Sequence, residues 1–140
     1  MAIVRSTVVM KTDIRKSVER VRTLSMPDLD SFMKEHKQFI LDTVSKYEGS
    51  IVRGTGDGFW LTFPSVTSAS LAALDIQENL RASQIGKGDI DRLAVRIVIA
   101  LGDVLHQEED FFGDAVNLAA RIEVVTPADE IYLSHAAWLA

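Results

Sequence analysis

The sequence predicts an α+β fold in which a split βαβ sheet carries two long helices on one face. Three patterns carry that expectation. Residues 4–10 are rich in β-branched side chains and residues 93–101 alternate between apolar and polar, both marks of strands. Residues 27–44 and 65–82 repeat their apolar side chains at helical spacing. Between these helices Gly54, Gly56 and Gly58 separate two short apolar runs, the pattern of a tight hairpin whose glycines permit positive φ. With 140 residues, 47% of them hydrophobic and 25% charged, the chain is expected to form one domain over residues 1–140 around a single core.

The elements follow in order. The first strand ends at the polar Lys11-Thr12-Asp13, which places Asp13 at a strand end. The first helix starts near Pro27, presents Leu29, Phe32, Met33, Phe39, Ile40 and Val44, and stops before Gly49. Strands at 51–53 and 59–63 flank the glycine turn, with Asp57 at its tip. The second helix buries Ala69, Ala72, Ala73, Ile76 and Leu80, and Gly86-Lys87-Gly88 breaks it. The strand at 93–101 ends at Gly102-Asp103, a helix follows over 113–123, and a last strand covers 130–133. The order is β-α-β-β-α-β-α-β.

Composition excludes several function classes. A formal net charge of -5, with no basic stripe, argues against nucleic-acid binding through the phosphate backbone. The absence of cysteine removes disulfide scaffolds, thiolate nucleophiles and Cys-ligated zinc, and is compatible with the reducing cytoplasm. The first ten residues read as a strand rather than a signal peptide, and no window approaches a membrane span. His36, His106 and His135 lack metal-ligand spacing and are expected at the surface or in loops.

Two constellations could carry chemistry. Asp13 and Asp57 stand at turns on neighbouring strands, so both carboxylates can reach one sheet edge, where a hard cation with substrate phosphates finds oxygen ligands. The alternative is that Asp13 caps a helix and Asp57 is a turn residue. Asn117 and Arg121, four apart on one helix face, present an amide and a guanidinium fork suited to a ribose and to phosphoryl charge. The alternative there is a solvated polar face.

Three segments in this order resemble the class III adenylyl and guanylyl cyclases: Thr12-Asp13-Ile14-Arg15-Lys16-Ser17, Gly56-Asp57-Gly58-Phe59, and Phe112-Gly113-Asp114-Ala115-Val116-Asn117-Leu118-Ala119-Ala120-Arg121. The resemblance spans nearly the whole chain and implies the ferredoxin-like split βαβ sandwich of that family. It implies that Asp13, Asp57 and the Ile14 carbonyl hold two Mg²⁺ or Mn²⁺ ions, and that the amides of Arg15, Lys16, Ser17 and Val18 cradle the phosphates of a nucleoside triphosphate. Asn117 would hold the ribose and Arg121 the transition state. The family's sites form between two antiparallel subunits, so a homodimer would carry two composite sites.

The resemblance also places Arg53 and Asp110 at the base, where Asp110 would accept from an exocyclic amine, as ATP offers. GTP and pyrimidine triphosphates stay open, because the family's adenylyl members commonly use Lys where Arg53 stands. As lone residues Arg53 reads as a solvated strand position and Glu108-Glu109-Asp110 as a solvated loop. Two departures bear on activity. Lys16 stands where the first metal motif has Gly, and the chain stops before the final strands of the family fold, so a C-terminally truncated domain is expected. An adenylate cyclase is the leading expectation. A cyclase-like module that binds nucleotide or dimerises without turnover is its rival, and a polymerase-like or diguanylate-cyclase-like enzyme ranks last.

Overall fold

A computed structural model describes residues 3–15, 25–86, 93–108 and 110–140. Its strands are β1 (Ile3–Ile14), β2 (Ser50–Thr55), β3 (Gly58–Phe63), β4 (Val95–Gln107), β5 (Asp110–Phe112) and β6 (Ile131–Leu133), and its helices are α1 (Met26–Ser45), α2 (Val66–Ser83), α3 (Asp114–Val125) and α4 (His135–Leu139). The sheet runs β2-β3-β1-β4-β5, and β6 joins β4 as its parallel neighbour. β1 is central, antiparallel to β3 from Val8 to Asp13 and to β4 along its whole length.

Side-chain alternation sorts the strands onto two faces. Val8, Met10, Phe59, Leu61, Val95, Ile97 and Ile99 face α1 and α2 in one core. Burying each of the fully enclosed isoleucines stabilises the fold by about 1.5–3 kcal/mol. The predicted stripe on α2 is correct, with Ala69, Ala72, Ala73 and Ile76 at 0% exposure. Both long helices start where a serine hydroxyl accepts an early amide, Ser25 from Asp28 and Ser65 from Ser68. Gln77 donates from α2 to the Val95 carbonyl at 2.8 Å, tying the helix layer to β4.

The opposite face is not bare, which corrects the expectation of a sheet covered on one side only. Val9, Trp60, Val98, Ala100 and Val104 form a second core there with Phe111 of β5 and Ala115, Val116 and Ala119 of α3. The closing segment 101–112 makes this possible. β4 does not stop at Gly102-Asp103 but pairs onward with β1 down to Ile3↔His106, then folds back through Glu108 (φ 56°) into β5. Gly102 stays in the ladder opposite Thr7 and faces Ala115 of α3, where a Cβ would lie in van der Waals contact at 3.4 Å. Of the run ending at Asp110, Glu108 is therefore in a turn and Asp110 in a strand rather than in a solvated loop, and Glu109 lies outside the described residues.

None of the hairpin glycines takes positive φ, contrary to the expectation, and of the three only Gly58 is required by close packing. Among the described residues the positive-φ glycines are Gly86 and Gly113. At Gly58 a Cβ would sit 1.8 Å from the Thr12 carbonyl oxygen, so only glycine lets the turn close onto β1. A short helix at 135–139, unforeseen in the sequence, buries Ala137 against the first core.

Candidate active site

The turn Gly56-Asp57 is pinned to the end of β1. The Ile14 amide donates to the Asp57 carbonyl at 2.8 Å, the Phe59 amide donates to the Thr12 hydroxyl at 3.2 Å, and Asp13 pairs in register with Gly58. These contacts bring the Asp13 and Asp57 carboxyls into hydrogen-bond contact, as the sequence reading expected, and Ile14 lies beside them. Asp13 is 5% exposed. Burial first, then the hydrogen bond and the charge of Asp57, push its carboxyl up to about 6, against the opposing pull of Lys11 and Arg96. Two acids that resist ionising together are the chemistry that attracts a hard cation. Among the described residues no third His, Cys, Asp or Glu completes a cluster, so further ligands would come from backbone, water or phosphate oxygens.

A charge network lies beneath this pair. Arg96, opposite Asp13 on β4, reaches its Oδ2 with Nε at 2.8 Å, and also donates from Nη1 to the Glu123 carbonyl at 2.9 Å. Glu123, near the end of α3, pairs in turn with Lys11 of β1 at 2.9 Å, a contact with the distance of an ion pair but not the angles of a hydrogen bond. Lys11 is 7% exposed, with its Nζ 5.7 Å from the Trp60 ring centroid. The polar end of the first strand is thus inside the protein, not at its surface. Sequence reading missed Lys11, Arg96 and Glu123; for Lys11 and Arg96 the one signal was their charge at positions where β1 and β4 alternate with core residues.

The same network anchors α3, whose inner side carries Ala115, Ala119 and the half-buried Glu123. Asn117 and Arg121 fall on the other side and are exposed. One chain therefore holds the acid pair and the Asn–Arg pair on separate surfaces. Gly113 begins the helix at φ 139°, where a Cβ would lie 2.7 Å from the Asp103 carbonyl oxygen, which fixes the angle at which α3 leaves β5.

Arg53 and Asp110 meet directly. The fold of β5 across the second face sets Phe111 edge-on to Trp60, with centroids 5.9 Å apart, and carries Asp110 to β2, where its Oδ1 lies 3.3 Å from Arg53 Nε. The pair is half-exposed, offering a donor and an acceptor side by side. Arg15 follows β1, is exposed, and its amide donates to the Ala94 carbonyl at 2.9 Å. With Arg96 and the segment 124–128 it lines an open groove of about 330 Å³. Lys16, Ser17 and Val18 lie outside the described residues.

Comparison with known proteins completes the picture. No family model matches the chain. Serine/threonine-protein kinase pkn2 of Myxococcus xanthus is 26% identical over 132 residues, which are 94% of this chain and 16% of that protein. The protein named "Putative adenylate cyclase 3" of Rhizobium meliloti is 29% identical over 102 residues, 73% of this chain and 17% of its own length. The chain thus spans about a sixth of these curated relatives. Among solved structures, the adenylate/guanylate cyclase/hydrolase of Silicibacter pomeroyi superposes with a TM-score of 0.86 at 27% identity, covering 98% of this chain and 80% of that one. The fold is that of a class III adenylyl/guanylyl cyclase catalytic domain.

Guanylyl cyclase domains match this cyclase fold as well, at about 21% identity, which speaks for architecture alone. Within this fold, Thr12–Ile14 of the first segment singled out in the sequence lie at the end of β1, the second forms the β2–β3 turn, and Asp114–Arg121 of the third lie in α3. Among the described residues, no helix of the domain is long and apolar enough to cross a membrane.

Proposed function

We propose that the domain is an adenylate cyclase that works as a homodimer, converting ATP to 3′,5′-cyclic AMP and pyrophosphate. The observation that carries this reading is the contact between the Asp13 and Asp57 carboxyls at the end of β1, on a chain whose α3 turns Asn117 and Arg121 outward. Such a chain is half of a site twice over. A second copy related by a two-fold axis would supply the missing half to each.

Asp13 and Asp57, with the Ile14 carbonyl, would hold two Mg²⁺ or Mn²⁺ ions. When bound, these ions would make the ribose 3′-oxygen a better nucleophile and neutralise the triphosphate. The protein's own groups position and stabilise. Asn117 from the second copy orients the ribose, so that the 3′-oxygen lies in line with the bond from the α-phosphorus to its leaving oxygen. As that bond breaks and the new one to the 3′-oxygen forms, the hydroxyl proton passes to solvent, pyrophosphate departs with the electron pair of the broken bond, and Arg121 offsets the charge on the equatorial oxygens. Arg15 and the groove it shares with Arg96 favour the anionic end of the substrate, together with the amides of Lys16, Ser17 and Val18.

The Arg53–Asp110 pair supports adenine: the carboxylate accepts from the 6-amino group while the guanidinium donates to N1. The likeness to the Rhizobium meliloti protein named "Putative adenylate cyclase 3" favours the same base. GTP is the second reading, favoured by the guanylyl cyclases that share the fold. The test is to incubate the purified protein with Mn²⁺ and each of ATP, GTP, CTP and UTP and to identify products by mass spectrometry. Cyclic AMP that disappears in Asp57→Ala and Arg121→Ala is the expected result. Cyclic GMP would keep the mechanism and reverse the base assignment, and binding without any cyclic product would favour a regulatory module.

A further inference from the structure

Asp13 and Arg96 stand opposite each other in the ladder of β1 and β4, so their side chains leave the sheet on the same face. The ladder thereby sets a cation that does not titrate against one member of the acid pair. Arg96 donates from Nε to Asp13 Oδ2 at 2.8 Å, and its Nη2 lies 2.8 Å from the same oxygen. Asp13 is also hydrogen-bonded to Asp57. A divalent ion bound through Oδ2 has to share that oxygen with the guanidinium or displace it.

The guanidinium is held from its far side as well. Nη1 donates to the Glu123 carbonyl at 2.9 Å, and Nη2 lies 3.4 Å from Glu123 Oε1. Lys11, 7% exposed, pairs with the other oxygen of that carboxylate at 2.9 Å. Glu123 in turn belongs to α3, whose Ala115, Val116 and Ala119 are packed into the second core. Arg96 is therefore fixed between a strand and a helix rather than loose at the surface. An ion on Oδ2 meets a cation that neither deprotonates nor withdraws without breaking these contacts, and like charges so close repel strongly.

We propose that Arg96 is an internal counter-cation that competes with the divalent ion for Asp13, so that it sets the affinity of the acid pair for metal and keeps the binding of the metal ion alone weak. The inference rests on the reading of Asp13 and Asp57 as metal ligands, and adds to it a positioning residue that works against the ion. Its signature is a gain: a variant that merely damaged the fold would lose metal affinity, whereas a variant that removes a competitor binds metal more tightly. The readout is metal binding, not turnover.

The experiment titrates the protein with Mn²⁺ alone at pH 8, above the value of about 6 to which the Asp13 carboxyl is pushed, and reads free Mn²⁺ by electron paramagnetic resonance. The parent should bind with a Kd of about 1 mM or weaker. Arg96→Gln should bind about tenfold more tightly or better, since one positive charge about 5 Å from a divalent ion is worth that much even at the dielectric constant of water. Asp57→Ala should remove most of the binding in either background, which locates the ion at the acid pair. If Asp57→Ala does so but Arg96→Gln binds no more tightly than the parent, the metal reading stands and this proposal is overturned. Binding that ignores Asp57→Ala, or no binding to parent or variant, overturns both. A second measurement uses the unmodified protein and holds even if Arg96→Gln folds poorly. NMR follows the Arg96 Nε–H during a titration with Mg²⁺, and its resonance should shift and exchange faster with solvent as the Asp13 and Asp57 amides respond. An unchanged Nε–H at saturation would contradict the competition.

Discussion

Arg96 grips a single oxygen of Asp13 from two nitrogens, with Nε and Nη2 each 2.8 Å from Oδ2. The same guanidinium bonds the backbone of Glu123, whose carboxylate pairs with Lys11, so four charged side chains on β1, β4 and α3 form one chain of contacts. Through it, the strand that holds the acid pair is tied to the helix that carries Asn117 and Arg121.

Breaking this network on one side should cost more than removing it. Lys11→Met leaves Glu123 with only the more distant Arg96 contact in a half-buried place and should destabilise the domain by about 2–4 kcal/mol. The double variant Lys11→Met, Glu123→Leu should recover most of that loss, because an apolar pair of similar size replaces both charges. Urea denaturation of the single and double variants measures this. Additive losses would mean that the two residues do not act as a pair.

The raised Asp13 carboxyl makes metal-free stability depend on pH. An unfolded aspartate titrates near about 3.9, and the folded one at about 6. The folded state therefore holds the extra proton: this group's stabilising contribution is complete below about pH 4 and is lost as pH rises through about 6. Asp13→Asn keeps an oxygen for Arg96 but does not ionise. In chelator it should be more stable than the parent by about 1–2 kcal/mol at pH 7.5 and show little gain at pH 4. Denaturation at the two pH values decides it; a variant equally or less stable at pH 7.5 would contradict the cause assigned here. Added Mn²⁺ should stabilise the parent and not the variant.

Two glycines two residues apart should behave differently. At Gly56 a Cβ would meet nothing within 4 Å, whereas at Gly58 it would strike the Thr12 backbone. Gly56→Ala should stay within about 0.5 kcal/mol of the parent. Gly58→Ala must push the turn off β1, and should lower stability by about 3 kcal/mol or more and abolish any product. Circular-dichroism melts and the nucleotide assay together test both. A well-folded, active Gly58→Ala variant would mean that Asp57 does not need this close approach.

Where a feature is set by neighbours in sequence, the sequence revealed it. The apolar stripe of α2, the alternation of β4 from Val95 to Ile99 and the turn at Asp57 all follow from local periodicity and turn chemistry and stand where they were expected, whereas Asp13 lies within the paired end of β1 rather than at a turn. The closing arm did not reveal itself, because Glu108 and Asp110 look solvated until Phe111 is seen packed on Trp60 from the far side of the sheet. Lys11 meets Glu123 across 112 residues, and no window of sequence contains that pair. His36 was within reach: it falls between Phe32 and Ile40 at four-residue steps, on the buried stripe of α1. Its polarity outweighed its position in the reading.

The central claim is that one chain's acid pair works with another chain's Asn117 and Arg121. The direct test mixes Asp57→Ala and Arg121→Ala proteins, each inactive alone. With free exchange about half the dimers are mixed, each with one site lacking both residues and one site intact, so about a quarter of the parent's product formation should return. If the mixture stays as inactive as its components while a mixture of each with the parent shows that subunits exchange, the composite site is wrong.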